Sequence, residues 1–143
     1  MIGSLRRKLV AVGFATLTFG AGCRGDNSLA EVEGTVRVNG RPLANIVVEF
    51  LPDPGQGTKG PRSTGVTDEA GHYRLRCDDQ REGAVIGWHR VVLEDAMLDR
   101  PEQGASVKNT ARVAQRYTTA ARTPLRREVK PGRQVIDLEL STP

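Results

Sequence analysis

Few side chains in this sequence are of the kind that do chemistry. The histidines and tyrosines are His72, His89, Tyr73 and Tyr117, and the cysteines are Cys23 and Cys77. Two tyrosines with two histidines can ligate a ferric ion. Here His72 and Tyr73 are adjacent in a predicted strand, so they point to opposite faces. Carboxylates pair at Asp68-Glu69, Asp78-Asp79 and Glu94-Asp95, and loop carboxylates can assemble a calcium site. No regular ligand spacing links these pairs, so they read as charge at turns. No serine has the flanks of a nucleophile elbow. The glycine-rich residues 55–60 lie between strands, not between a strand and a helix as a phosphate cradle requires. No Cys/His cluster has zinc spacing. The sequence thus predicts no catalytic residue, no metal and no cofactor.

Cys23 carries a different chemistry. Arg6, Arg7 and Lys8 form a basic head, and residues 9–22 are uncharged and apolar or small apart from Thr16 and Thr18. Gly20-Ala21-Gly22 then places small residues before the cysteine. This is the layout of a secretory signal peptide over residues 1–22. Its apolar run falls short of the about 20 residues that span a bilayer. A cysteine opening the mature chain resembles the lipobox of bacterial lipoproteins, with Gly20 where that motif usually has Leu, Val or Ile. The resemblance implies a lipid on Cys23 and a membrane-anchored protein. Arg24, where an acidic residue would mark inner-membrane retention, points to the outer membrane or cell surface, with a periplasm-facing position as the variant. Residues 23–30 become the lipidated cysteine and a polar tether. Arg24-Gly25-Asp26 matches an adhesion tripeptide, a match too short to carry weight.

Removing the leader changes the charge. Of 21 basic side chains, three leave with residues 1–22; the remaining 18 face 17 acidic ones, a net of +1. Such a chain has no global field to recruit nucleic acid. Residues 31–143 suit one small domain, with a core built from Val, Ile and Leu because aromatics are few.

Alternation sets out the elements. Val32, Gly34, Val36 and Val38 alternate with Glu33, Thr35 and Arg37, the period of a half-buried strand. Asn39-Gly40 marks a hairpin turn, and Ile46, Val48 and Phe50 form a second run. Residues 52–61 form a Pro/Gly loop. Strands follow near residues 62–67 and 72–77, joined by a tight turn in which Asp68 accepts backbone N–H groups and Gly71 supplies the left-handed residue. Residues 83–94 continue as a β segment bent at Gly87. Residues 95–124 form a long loop, with a short helix over residues 107–117. Residues 125–129 and the run Ile136, Leu138, Leu140 close the chain. About seven short strands predict an all-β, antiparallel seven-stranded sandwich.

Within this frame, Glu33-Gly34-Thr35-Val36, Asn39-Gly40-Arg41-Pro42-Leu43, residues 47–50 with Pro52, and Gly65-Val66-Thr67-Asp68 with Gly71 and Tyr73 resemble the carboxypeptidase regulatory-like domain. The ending, from Tyr117 through Pro124-Leu125 and Lys130-Pro131-Gly132 to Leu138-Glu139-Leu140, is similar to that of small planctomycete-type lipoproteins. The resemblance implies a transthyretin-like (prealbumin-like, broadly Ig-like) sandwich and almost nothing about activity, because this fold carries unrelated functions. Its fold motif falls on Gly34, Gly40, Pro42, Asp68, Gly71 and Tyr73. Transthyretin-like hydroxyisourate hydrolases need a histidine near the first strand and a Tyr-Arg-Gly-Ser-type ending. This chain has neither.

The binding candidates are surface residues. Trp88 points away from the inward face shared by His89, Val91 and Leu93; it either stacks on a sugar or partner or is covered by residues 95–124, the reading kept here. Arg112, Arg116 and Arg122, with Lys108, Arg126 and Arg127, gather into a positive patch for anionic lipid, acidic glycan or protein. Cys77 and His89 read as buried core groups. The expected protein is a lipid-anchored, non-catalytic binding or structural module of the cell envelope. Its partners are the membrane, through the lipid, and an envelope protein or glycan. The rival is a small hydrolase or metal-dependent enzyme using His72, His89 and loop carboxylates.

Overall fold

Every second residue of the first long strand turns inward: Val32 and Val36 are buried and Glu33 and Arg37 are not. The computed structural model describes residues 28–98 and 111–142. The leader, Cys23 and residues 99–110 lie outside the described residues, as do positions 107–110 of the expected helix. The strands are β1 (Leu29–Ala30), β2 (Val32–Val38), β3 (Arg41–Pro42), β4 (Ile46–Pro52), β5 (Ser63–Val66), β6 (His72–Arg74), β7 (Arg76–Cys77), β8 (Ala84–Val85), β9 (Gly87–Asp95), β10 (Arg126–Val129), β11 (Gln134–Val135) and β12 (Leu138–Leu140). The architecture is all-β. One open sheet runs β10-β9-β4-β5-β7, a second is built around β2, and β1 pairs with β8 as a two-stranded ribbon.

The two larger sheets share one core. Val32, Val36, Tyr73, Leu138 and Leu140 from the β2 sheet join Ile46, Val48, Phe50, Val91, Leu93 and Val129 from the other. Fully burying each such side chain contributes about 1.5–3 kcal/mol. The fold begins earlier than residue 31: Leu29 and Ala30 pair with Val85 and Ala84, and Ala30 is buried.

Two features depart from the sequence expectation. The sheets are not purely antiparallel, because β11 and β12 run parallel to β2 along one side of it. Among the described residues the chain also divides into twelve strand segments, shorter and more numerous than the expected runs. The run over residues 72–77 breaks at Leu75 because it changes sheets: β6 pairs with β2, whereas β7 pairs with β5. Alternation reports which face a residue takes, not which neighbour its strand meets.

The Asn39-Gly40 turn joins β2 to β3 with φ of 50° and 77°, the positive values a two-residue hairpin demands. At the next turn Asp68 Oδ1 accepts from Ala70 N and His72 N, both at 2.9 Å. Gly71 there has φ 74°. Pro42 lies in β3 opposite Arg37.

The segment over residues 95–124 is more than a loop. Asp95 ends β9, and the described part contains only the short 3-10 turn Gln115–Tyr117, not the expected helix. Val113, Ala114 and Tyr117 from it enter the core, as does Leu125 directly after it.

Between β11 and β12 the Ile136 carbonyl leaves the ladder and turns inward. Tyr73, fully buried, donates its hydroxyl to it at 2.6 Å. Asp137 Oδ1 takes the Thr35 N–H at 2.8 Å that the ladder leaves open. Gly34 is required at this point, since a Cβ there would run into Ile136 O and meet the Tyr73 ring at 3.0 Å. We expect Gly34→Ala to destabilise the fold by about 3 kcal/mol, at the upper end of overpacking costs. Tyr73→Phe, which leaves a buried carbonyl unpaired, should cost about 1–3 kcal/mol. Urea denaturation followed by circular dichroism measures both, and a Gly34→Ala protein of unchanged stability would refute the close approach.

Candidate functional site

The site begins where β4 ends. Asp53 follows Pro52 and caps the 3-10 turn Pro54–Gln56, its Oδ1 accepting from Gly55 N at 3.1 Å. The side chain is buried, and two arginines close on it. Arg90 places Nε 3.2 Å from Oδ2 and Nη2 3.3 Å from Oδ1. Arg126 places Nη1 2.7 Å from Oδ2. These guanidinium groups come from paired positions of β9 and β10, so one carboxylate ties three segments together. The Arg90 bonds hold the Asp53 pKa below 3.8 despite burial, with Gly55 N and the Arg126 charge assisting.

This anchored turn mounts Trp88. Asp53 N donates to Trp88 O at 2.9 Å. Trp88 N donates to Thr58 Oγ1 at 2.8 Å, and Thr58 N is itself held on Asp53 O at 3.1 Å. Gly87, with φ 132°, lies so close to Thr58 that a Cβ would strike its side chain. Trp88 therefore has its backbone fixed on both sides. The residue remains 39% exposed, so its covering is partial; residues 99–110 of the segment expected to cover it lie outside the described residues. Trp88 borders a groove of about 540 Å³ lined also by Ser28, Gln56, Thr58, Lys59 and Ile86.

The other candidates are placed elsewhere. His89 lies inside, its ring 5.7 Å from that of Phe50, with Nδ1 3.0 Å from Gly87 O and Nε2 buried without a partner. His72 is exposed on the outer side of the β2 sheet, 3.8 Å from the Glu33 carboxylate. The two histidines thus share no site. Cys77 is buried with Sγ 3.0 Å from Ser63 Oγ. Among the described residues, no group of three His, Cys, Asp or Glu side chains gathers to hold a metal.

The expected positive patch is largely used internally. Arg112 grips the buried Asp95 with two prongs, Nε to Oδ2 at 2.8 Å and Nη2 to Oδ1, and its Nη1 donates to Ala44 O at 3.0 Å. Burial works to raise the Asp95 pKa; the Arg112 bonds and Met97 N outweigh it and hold it below 3.8. Arg116 lies over the Tyr117 ring, 5.0 Å from its centroid, and Nη2 reaches Ser141 Oγ at 3.0 Å and Ser141 O at 3.1 Å. The hydrogen bond from Ser141 lowers the Tyr117 pKa below 10.0 against burial, and Arg116 adds to this. Arg126 belongs to Asp53. Arg122 is exposed, and Lys108 lies outside the described residues.

Of the grooves among the described residues, the one at Trp88 gathers an aromatic ring, an amide, an ammonium and hydroxyl groups around one concavity; others of about 530 Å³ beside Arg41 and Arg112 and about 320 Å³ beside Leu98 and Val113 have no aromatic ring in their lining. Sequence reasoning identified Trp88 but not Asp53, whose partners are 37 and 73 residues away. The Pro-Gly pair after Asp53 was the available signal for a capped turn. Among the described residues no helix is long and apolar enough to cross a membrane. No family model, no curated protein and no solved structure matches the chain.

The burial of His89 predicts an acid-sensitive fold. Burial lowers its pKa below 6.5, with the Gly87 bond opposing. The unfolded chain then binds a proton more readily than the folded one. The His89 contribution is whole above about pH 6.5 and falls as pH drops towards the folded value, by about 1.4 kcal/mol per pH unit at most. Asp53 and Asp95, with pKa values lowered from 3.8, lose their contributions only in stronger acid. Urea titrations at pH 7.5 and pH 5.5 should show the loss in the native protein and a smaller one in His89→Gln. Equal losses would rule out His89 as the source.

Proposed function

We propose that the protein is a lipoprotein of the bacterial envelope, held by a lipid on Cys23, whose domain is a non-catalytic binding or structural module. Residues 1–22 are the export leader, residues 23–28 the lipidated cysteine and tether, and residues 29–143 the domain, since Leu29 and Ala30 already pair with Val85 and Ala84. The domain is read as a seven-stranded transthyretin-like sandwich of the carboxypeptidase regulatory-like kind. Support for that count comes from joining β11 with β12, and β6 with β7, as interrupted single strands, alongside β2, β4, β5, β9 and β10. The short β1, β3 and β8 are then edge additions.

One observation carries the functional reading. Five of the described side chains with reactive potential are engaged in holding the fold and His72 stands apart from them on the outer surface, whereas the sole tryptophan is part-exposed beside a groove. His89 and Cys77 are core, Tyr73 serves Ile136, and Asp53 and Asp95 are locked by arginines. Recognition then falls to loops at the end of the sheets, where Trp88 and residues 53–59 meet.

Intact-mass measurement of the protein purified from its native envelope should give a chain beginning at Cys23 with a diacylglyceryl or triacyl addition. Cys23→Ser should carry no acyl addition and keep residues 1–22. An unacylated mature chain, or an acylated Cys23→Ser protein, would overturn the anchor.

A further inference from the structure

We infer that the Trp88 groove is a glycan-binding site, in which a sugar ring lies on the indole and its hydroxyl groups are met by Ser28, Gln56 and Lys59. The inference rests on the binding-module reading and gives it a ligand class. Three observations converge. Trp88 is the only tryptophan and is 39% exposed, while Phe50, Tyr73 and Tyr117 are buried. An indole presents an apolar face and a single N–H donor, suited to the C–H face of a pyranose. Around it, the Ser28 hydroxyl, the Gln56 amide and the Lys59 ammonium are exposed, and none has a partner among the described residues. They offer donors and acceptors to hydroxyl and acetamido groups, and Lys59 offers a cation to a sugar carboxylate.

The groove, at about 540 Å³, falls within the range of about 300–1,000 Å³ usual for small-ligand sites. It is also prearranged. Thr58 and Asp53 hold the Trp88 backbone from both sides, and Arg90 with Arg126 hold Asp53. Binding then costs little ordering of the platform.

A membrane surface is the competing occupant, since Ser28 lies five residues beyond Cys23. The local chemistry favours sugar. Exposed Glu128 pairs with Trp88 across the β9–β10 ladder, and its carboxylate balances the Lys59 cation; a layer of anionic headgroups needs a surplus of cations, whereas a single sugar ring does not. The carboxylate remains a good acceptor for sugar hydroxyls.

The single tryptophan is its own reporter. The protein purified from its native envelope in mild detergent is titrated with soluble β-linked oligosaccharides of glucose, N-acetylglucosamine and glucuronate. Phosphatidylglycerol vesicles form a separate arm. We expect a saturable change in Trp88 emission with at least one oligosaccharide. Affinity for it, measured calorimetrically, should fall about tenfold or more in Trp88→Ala. Lys59→Ala should fall most for glucuronate if a carboxylate is recognised. Circular dichroism checks that each variant is folded. No response to any of the three sugars overturns the glycan site, and so does binding that Trp88→Ala leaves intact. An emission shift with vesicles alone assigns the groove to the bilayer instead. The intact mass of the same preparation reports on the Cys23 anchor, so the two readings fail separately.

Discussion

The inward Ile136 carbonyl is the constraint on which the rest of the fold turns. A carbonyl pointed into an apolar core costs free energy unless a donor meets it. Tyr73 supplies that donor from β6, and Gly34 supplies the space by having no side chain. The last strand is thereby fixed against β2 in a parallel register, with Asp137 closing the gap that the turned carbonyl leaves at Thr35 N. Burial raises the pKa of the Tyr73 hydroxyl, which keeps it protonated and able to donate.

A second constraint governs the other sheet. β4 and β9 form its longest pairing, from Ile46 opposite Asp95 to Pro52 opposite His89. Each end carries a buried aspartate closed by arginine, Asp53 with Arg90 and Arg126, and Asp95 with Arg112. Removing either arginine partner would leave a buried carboxylate undercompensated, a larger loss than the pair's own net contribution. These pins explain why basic residues late in the chain do not form a free patch. Arg112 and Arg126 are drawn inward by acids that strand burial has already desolvated.

The sequence shows what local rules govern. Alternation in Val32 to Val38 and in Ile46 to Phe50 places the core faces, Asn39-Gly40 and Asp68 to Gly71 place turns, and the bend at Gly87 separates β8 from β9. It is silent on what long-range pairing decides. Leu138 and Leu140 alternate alike whether their neighbour runs parallel or antiparallel, and nothing local marks Leu75 as the point where a strand changes sheets. The Asp95–Arg112 pair spans 17 residues and the Asp53–Arg126 pair 73, so an acid at a strand end reads as turn decoration until the fold brings its cation. Trp88 fell between these cases: the pleat gave its direction, but cover depends on where residues 95–124 travel, of which 95–98 and 111–124 are described. They send Val113, Ala114 and Tyr117 into the core.

The open site and the fold therefore share one group. Asp53 ends β4 and secures β9 and β10, and its main-chain atoms set both Trp88 O and the turn that holds Trp88 N. A loop of Pro, Gly and polar residues would ordinarily be mobile. Here it is tied to the sheet through a carboxylate that two guanidinium groups hold ionised. The same loop can vary at Gln56 and Lys59 without touching that tie, because their side chains face the groove and bond to no described residue. A rigid mount with replaceable side chains lets recognition change while the sheet keeps its ends. The proposed site thus has its groove-facing groups at residues 56 and 59 and its mount at residue 53.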